Sequence, residues 1–216
     1  MSLDTYQIRV CQNPDCGLRY PLVEDSTFGE RCPMCLGETK VVIEKRFVSD
    51  SEKGNVPFLP RTSKLSVLLD NIRSALNVGS IFRSADGFGF RNIYLCGITP
   101  TPEIPEVNKS AIGAEDFVEW SAHKNAVNLI NQLKKGDCEI WALETSQNSI
   151  PIYSAISGRK NTQPLVLVLG NEVTGIDPGI LEIANCQVYL PMRGHKRSFN
   201  VAVAFAIAAQ IISFNS

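Results

Sequence analysis

The sequence contains few histidines, no excess of charge of either sign and no long apolar run. Among its 216 residues only His123 and His195 are histidines, so a mechanism that depends on a histidine general base has few candidates. The net charge of −1 and the pI near 6.1 argue against a strongly basic nucleic-acid coat protein, but not against an enzyme whose basic residues are clustered. No apolar run reaches the about 20 residues of a membrane span, and no signal-peptide pattern is visible. We therefore expect a cytoplasmic protein with reduced thiols and no membrane partner.

Common nucleotide-binding and hydrolase motifs are missing as well. Residues 170–175 have the glycine spacing of a P-loop, but Ile176 and Asp177 stand where lysine and serine or threonine are needed. Gly87 and Gly89 lack the third glycine of a dinucleotide-binding fingerprint, and no GxSxG elbow occurs. P-loop and ordinary Rossmann dehydrogenase functions are therefore both poorly supported.

Four of the seven cysteines lie in two tight turns, CQNPDC and CPMC, which are separated by 15 residues. This spacing is typical of a tetrahedral four-cysteine zinc site, with the ligands Cys11, Cys16, Cys32 and Cys35. Iron is an alternative with the same ligands. Residues 19–23 and 40–43 are expected to form strands, so residues 1–48 are predicted to be a zinc ribbon. Four thiolates leave no open position on the metal, so its role should be structural.

A polar segment with Gly54, Pro57 and Pro60 predicts a linker over residues 49–63. In residues 64–216, apolar strands alternate with helices, which predicts an α/β domain with a parallel sheet covered on both sides. Strands are expected at 65–69, 93–96, 139–143, 165–169 and 188–190. Helices are expected from an Asn77 cap to about 87, over 126–133, 178–184 and 201–214, with a loop over 99–107.

The helix at 201–214 is apolar almost all round, which predicts burial between the sheet and a partner subunit. Ser198 and Asn200 are good helix N-caps. The loop before them contains Arg193, Lys196 and Arg197 without a nearby acid, which favours binding of an anion such as RNA phosphate.

Polar residues that packing does not require follow three predicted elements, at the edge of the sheet where ligands bind in open parallel sheets. They are Asn77 with Arg83, Gly170 to Glu172, and Ser198 with Asn200.

These segments, NxGxIxR (77–83), LVLGNEVTGI (167–176) and LPMRGHKRSFNVAVA (190–204), resemble the three motifs of the SpoU/TrmH family of RNA ribose 2′-O-methyltransferases, in the SPOUT superfamily. KSAIGAE (109–115) is also similar to a family segment. Phe199 departs from the usual leucine but remains large and apolar. The resemblance implies a C-terminal trefoil knot that holds S-adenosylmethionine, and a homodimer whose active site takes residues from both chains.

The resemblance also implies roles for individual residues. It implies catalytic roles for Asn77, Arg83, Glu172, Ser198 and Asn200, and cofactor contacts from Thr145, Gly170, Leu190, Met192 and Ser198. A guanidinium does not readily lose a proton, so we expect Arg83 to clamp an RNA phosphate and to stabilise a developing oxyanion rather than to act as a base.

The expected function is therefore 2′-O-methylation of ribose in structured RNA, tRNA or rRNA. One alternative is a zinc-ribbon RNA-binding protein whose knotted domain has lost catalysis. The other is a knotted methyltransferase that acts on a base, whose products would stay sensitive to alkaline cleavage.

Overall fold

A computed structural model of the chain describes residues 5–23, 29–47, 64–159 and 163–214. The chain divides into two compact units, Met1–Leu59 and Pro60–Ser216. The predicted linker, residues 49–63, lies outside the described residues, and the domain limits at residues 48 and 64 remain predictions.

The first unit contains an antiparallel sheet in which β1 is the central strand. Its strands are β1 (Thr5–Cys11), β2 (Arg19–Val23) and β3 (Thr39–Arg46), in the order β2-β1-β3. The strands predicted at 19–23 and 40–43 are confirmed. β1 was not predicted, although its alternating Tyr6, Ile8 and Val10 are typical of a strand with one apolar face.

The second unit contains a sheet of seven strands, and every pairing in it is parallel. The strands are β4 (Leu65–Asp70), β5 (Asn92–Cys96), β6 (Glu119–His123), β7 (Glu139–Leu143), β8 (Ile150–Pro151), β9 (Leu165–Leu169) and β10 (Cys186–Tyr189), in the order β6-β5-β4-β9-β7-β10-β8. The helices are α1 (Ala75–Gly87), α2 (Pro105–Ala111), α3 (Ala126–Lys135), α4 (Ile152–Ser157), α5 (Pro178–Ile183) and α6 (Val201–Phe214). The predicted α/β class with a parallel sheet is confirmed, and the trefoil knot remains a prediction.

Strands β4 and β9 form the centre of the sheet and are buried on both faces. Leu65, Val67 and Leu69 pack with α1, α4 and α6 on one face, while Leu68 packs with α3 and α5 on the other. All of β9 is at most 1% exposed, which confirms the burial predicted from its continuous apolar run. The central strands therefore hold their carboxyl ends rigidly at one edge of the sheet.

Two predicted elements differ from the structure. Helix α2 begins inside the predicted loop, because Pro105 occupies a first-turn position, where a missing N–H costs nothing. Helix α1 is capped by Ser74 rather than by Asn77, and the Ser74 hydroxyl accepts a hydrogen bond from the Asn77 backbone N–H. Asn77 therefore lies inside the first turn, where its side chain is free to bond elsewhere.

Helix α6 buries one side against the sheet and leaves apolar side chains on the other. Phe205, Ala208 and Ile212 are fully buried, whereas Val203 is 47% exposed and Phe214 is 55% exposed. Among the described residues, no helix is long and apolar enough to cross a membrane.

Candidate functional site

Three segments that are far apart in the sequence meet through side-chain hydrogen bonds at the carboxyl edge of the large sheet. Asn200 donates from Nδ2 to Asn77 Oδ1 over 3.0 Å, and Asn77 donates from Nδ2 to Glu172 Oε1 over 3.0 Å. These residues are 123 and 95 positions apart in the chain, so the fold alone brings them together. This arrangement is called the amide relay below.

The direction of the amide relay is fixed by helix α6. Asn200 caps the helix, because its Oδ1 accepts hydrogen bonds from the backbone N–H groups of Ala202, at 2.9 Å, and Val203, at 3.4 Å. The Nδ2 group of Asn200 must then point away from the helix, toward Asn77 Oδ1. Asn77 in turn can offer only its own Nδ2 to Glu172. The relay therefore ends on a carboxylate that accepts, as an ionised group should.

Glu172 also accepts hydrogen bonds from the backbone N–H groups that precede α1. Its Oε2 accepts from Arg73 at 3.0 Å, and its Oε1 accepts from Ser74 at 3.3 Å. Burial raises the pKa of this carboxyl, but hydrogen bonds from Arg73, its own backbone, Asn77 and Ser74 outweigh that effect and bring the pKa below its ordinary value. Glu172 is therefore ionised at neutral pH and joins the start of α1 to the end of β9.

A closed turn over residues 171–175 follows β9. Asn171 and Gly175 exchange two backbone hydrogen bonds of 3.0 and 2.9 Å, and the Asn171 side chain accepts from Val173 N at 2.9 Å. A Cβ atom on Gly170 would lie 2.2 Å from Ile176 N, so this position requires glycine. The turn keeps the Gly170 backbone beside the mouth of a cavity.

The cavity has a volume of about 450 Å³ and lies between the ends of β7, β9 and β10 and the start of α6. All five residues predicted to contact the cofactor line it: Thr145, Gly170, Leu190, Met192 and Ser198. Glu172 and Asn200 also line the cavity, so two of the three residues of the amide relay contact it. Its volume falls within the range of roughly 300–1,000 Å³ that is usual for small-molecule sites.

Glu144 lines the cavity but was not predicted to be a site residue. Its Oε1 accepts from Thr145 N at 3.0 Å, and its Oε2 accepts from Ile176 N at 3.2 Å. The carboxylate therefore ties the end of β7 to the far side of the turn at 171–175. Its sequence signal is an acid directly after a buried strand, at the same edge of the sheet as Glu172, which follows β9 by three positions.

Arg83 does not join the other predicted catalytic residues within one chain. It is exposed on α1 and does not line the cavity, and its side chain forms no hydrogen bond or ion pair with any residue that the structure describes. Arg83 follows Asn77 by six positions, which places it about 9 Å further along the helix and about 120° around it. Ser198 lines the cavity and is exposed, but α6 is capped by Asn200 and not by Ser198.

The three basic residues of the predicted RNA-binding loop are all exposed. Arg197 lines the cavity, whereas Arg193 and Lys196 do not. The loop therefore places one cation at the cavity and two on the surface beside it.

In the first unit, the four predicted metal ligands come together. The sulfur atoms of Cys11, Cys16, Cys32 and Cys35 all lie within 4.8 Å of one another. Two of these distances are 3.4 Å, from Cys11 to Cys35, and 3.7 Å, from Cys16 to Cys32. Tetrahedral zinc with Zn–S bonds of about 2.3 Å needs sulfur atoms about 3.8 Å apart. The residues present therefore fit a four-thiolate metal site.

Comparisons with known proteins concern the second unit. Residues 64–210 match the model of the family described as the SpoU rRNA Methylase family. The chain is 30% identical over 148 residues to a tRNA (guanosine(18)-2′-O)-methyltransferase from Aquifex aeolicus, a match that covers 68% of this chain and 67% of that protein. It is 26% identical to the enzyme of the same name from Escherichia coli, with 68% of this chain covered, but spans only 62% of that protein's length. The crystal structure of the A. aeolicus TrmH/SpoU tRNA modifying enzyme superposes with a TM-score of 0.64 at 28% identity, covering 72% of this chain and 76% of that one.

Proposed function

We propose, because the chain belongs to the SpoU rRNA methylase family, that it transfers a methyl group from S-adenosylmethionine to a ribose 2′-hydroxyl of structured RNA, either tRNA or rRNA. The observation that carries the proposal is the amide relay, which joins three motif residues beside the cavity. Packing of the core requires none of these three polar side chains. The names of the A. aeolicus and E. coli relatives, which specify a guanosine 2′-oxygen, favour ribose over a base as the acceptor.

The cavity suits S-adenosylmethionine in size and in the chemistry of its lining. Gly170 brings backbone groups to its wall, and Thr145, Leu190, Met192 and Ser198 would complete the contacts. The carboxylates of Glu144 and Glu172 give the cavity negative charge, and Arg197 supplies one cation. Such a lining favours a ligand that carries both a positive centre and a carboxylate. When bound, this cofactor supplies a methyl group on a positively charged sulfur.

The residues of the amide relay would hold the ribose rather than remove its proton. Glu172 is already engaged by two backbone donors and by Asn77, so it is better placed to orient the relay than to act as a free base. Alignment of two reacting groups can contribute up to about 7–11 kcal/mol to lowering a barrier. Ser198, at the cavity wall, would help to fix the nucleophile or the cofactor.

Arg83 would act from the second subunit of a homodimer. Within one chain it faces away from the amide relay and has no partner among the described residues, although a guanidinium is suited to a phosphate or a developing oxyanion. The apolar side chains that α6 and the loop before it leave exposed, Val203 and Phe199 among them, would be covered by such a partner. The active site would therefore be complete only in the dimer.

The exposed loop residues Arg193 and Lys196, with Arg197, would bind the RNA backbone. The four-cysteine cluster would hold a structural zinc ion, because thiolates at these distances match that metal and a sheet of three short strands buries little core of its own. We place the protein in the cytoplasm, where such thiols stay reduced.

The proposal is tested with the purified full-length chain, radiolabelled S-adenosylmethionine, and total RNA from a strain that lacks the protein. The labelled methyl group should enter RNA. The phosphodiester bond next to a methylated ribose should then resist alkaline cleavage, whereas methylation of a base would leave that bond sensitive. Arg83→Ala should lower the rate about 10²–10³-fold, as removal of one transition-state donor does, while cofactor binding persists. Arg91→Ala, at an exposed arginine with only a surface ion pair to Glu119, serves as the matched control. Absence of cofactor binding in calorimetry would instead favour an inactive RNA-binding protein.

Mixed dimers test the placement of Arg83. A chain with Asn77→Ala and a chain with Arg83→Ala should each be inactive alone, but together they should recover activity, because one of the two sites in the mixed dimer combines an intact Asn77 with an intact Arg83. If Arg83 served the relay of its own chain, mixing would restore nothing.

A further inference from the structure

The sheet of the first unit has one face on which no described residue is fully buried. Residues paired across antiparallel strands point to the same face, and β1 exposes Tyr6, Ile8 and Val10 on it. Each of these residues has a partner on β2 and another on β3, which gives three rows. The nine residues of this open face are Arg19, Val10 and Lys40 in the first row, Pro21, Ile8 and Ile43 in the second, and Val23, Tyr6 and Lys45 in the third.

The two faces of this sheet differ in burial. None of the nine open-face residues is buried, and Ile43 is 38% exposed despite its apolar side chain. On the opposite face, Cys11 is 4% exposed and Leu22 is 9% exposed, although Val41 at its edge is 41% exposed. The open face is therefore a largely apolar surface about 14 Å long, given roughly 3.4 Å per residue along β1.

Charge is distributed unevenly between these faces. Residues 1–50 contain six Lys or Arg and eight Asp or Glu, a difference of −2. Three of the six basic residues, Arg19, Lys40 and Lys45, lie on the open face, and none of the four acids that the structure describes in this unit does. The side chains of these three residues form no hydrogen bond or ion pair with any residue in the described part of the chain. A unit that is acidic as a whole thus presents one face on which every charged residue that the structure describes is a cation.

An aromatic pair lies at one end of the open face. The rings of Tyr6 and Phe47 have centroids 5.1 Å apart, and Phe47 is 41% exposed. Tyr20, the other described tyrosine of this unit, points to the opposite face and donates a hydrogen bond to the carbonyl of Gly29. Aromatic rings on a cationic sheet surface offer stacking positions for bases next to binding positions for phosphates.

We propose that the open face binds an unpaired stretch of the substrate RNA. The inference rests on the proposed function, since it assigns to this unit the RNA that the second unit would methylate. Three cations on a face with no described acid favour a polyanion over an ordinary protein partner, whose surface carries both signs. The apolar rows and the aromatic pair favour unpaired nucleotides over a duplex, because only unpaired bases can stack on side chains.

The test measures binding of the full-length, zinc-loaded chain to a fluorescent 12-nucleotide oligouridylate and to a 12-base-pair RNA duplex at several salt concentrations. In the variant R19Q/K40Q/K45Q, the slope of log Kd against log salt for the single strand should fall by about 2, since each phosphate contact on single strands contributes about 0.7. Tyr6→Leu, which keeps an apolar side chain, should weaken single-strand binding by about 5- to 150-fold if one base stacks on the ring. The variant R31Q/K124Q/K135Q, which removes three exposed cations that lie off this face, should leave both values unchanged.

Zinc content and cofactor affinity of each variant report whether both units remain folded. The binding assay does not depend on catalysis, so a failure of methyl transfer in the wild-type chain would count against the proposed function and not against the open face. If the enzyme is active, the open-face variant R19Q/K40Q/K45Q should have a higher KM for RNA and an unchanged kcat. Unchanged oligouridylate binding in both open-face variants, or a preference for the duplex, would overturn the inference. Binding of a protein partner through the same face, with no RNA binding, would overturn it too.

Discussion

Glu172→Gln isolates the electrostatic contribution of the carboxylate on which the amide relay ends. The substitution keeps the size of the side chain but places an amide N–H₂ group where Glu172 now accepts from Arg73 N, Ser74 N and Asn77 Nδ2. A hydrogen bond to a charged group contributes roughly 1.5–3 kcal/mol when it is well shielded. Because Glu172 is exposed, solvent screening reduces the contribution of these hydrogen bonds. We therefore expect the substitution to lower the free energy of unfolding by about 1 kcal/mol at pH 7.

The pH dependence of that loss follows from the sign of the pKa shift. The pKa of Glu172 is lower in the folded protein than in the unfolded chain, so ionisation stabilises the folded state above the ordinary pKa of about 4.3. The difference between wild type and Glu172→Gln should be constant from neutral pH to about pH 5.5, and should shrink as the pH falls through the folded pKa. Glutamine does not titrate, so the change must come from the wild type.

Urea unfolding followed by tryptophan fluorescence measures this difference, because both tryptophans, Trp120 and Trp141, lie in the second unit. Glu182→Gln is the matched control, since Glu182 is an exposed acid of α5 with no hydrogen bond to the described residues. A wild-type advantage that is absent at pH 7, or that persists undiminished at pH 4, would refute the role assigned to the carboxylate.

Three further predictions concern glycines and the metal. Gly79→Ala would place a Cβ atom 2.1 Å from Ser110 Oγ and 2.2 Å from Val107 O, so α1 and α2 must separate. The free energy of unfolding should therefore fall by about 1–3 kcal/mol. In the control Gly87→Ala, where no atom lies within 4 Å of the new Cβ, the free energy of unfolding should change by less than about 0.5 kcal/mol. Gly170→Ala would force the turn at 171–175 outward and should abolish S-adenosylmethionine binding in calorimetry with little change in the far-UV circular dichroism; unchanged affinity would place the cofactor elsewhere. Elemental analysis should find one zinc per chain, and Cys16→Ser should lower that content. In this variant the NMR signals of β1 to β3 should lose their dispersion while those of β4 to β10 persist. Unchanged NMR signals of β1 to β3 in the absence of zinc would contradict a structural role for the metal.

The parallel sheet could be predicted from sequence because its central strands carry their own signal. Leu165 to Leu169 is apolar at every position and buried at every position, so local pattern and tertiary environment agree. Strand β6 and helix α2 escaped prediction for the opposite reason. Glu119–His123 is an edge strand with a mostly polar sequence, and the prolines before α2 indicate a loop unless the first helical turn begins on one of them.

The members of the site were predictable, but their connections were not. Motif resemblance identified Asn77, Glu172 and Asn200, yet an asparagine near a helix start is also a good N-cap, and nothing in the local sequence decides between these roles. The two asparagines have different roles in the structure. Ser74 caps α1, so the side chain of Asn77 is free for other hydrogen bonds. Asn200 caps α6 with its Oδ1 and donates from its Nδ2 to Asn77. Glu144 escaped because its contact with Ile176 spans 32 residues and depends on β7 and β9 pairing side by side.

The net charge of the first unit does not describe the two faces of its sheet, because a sum over residues contains no information about faces. Six basic and eight acidic residues in 1–50 show that the unit is no basic arm, so contact with RNA would depend on shape and on a few groups such as Arg19 and Tyr20. Strand pairing separates these two residues, since it places Arg19 on the open face beside Val10 and Tyr20 on the other face beside Arg9. Pairing with β3 then adds Lys40 and Lys45 to the side of Arg19. A strand alternates its side chains with a period of two, so register alone can concentrate cations on one face of an acidic unit. The charge that matters for binding is therefore the charge of a face.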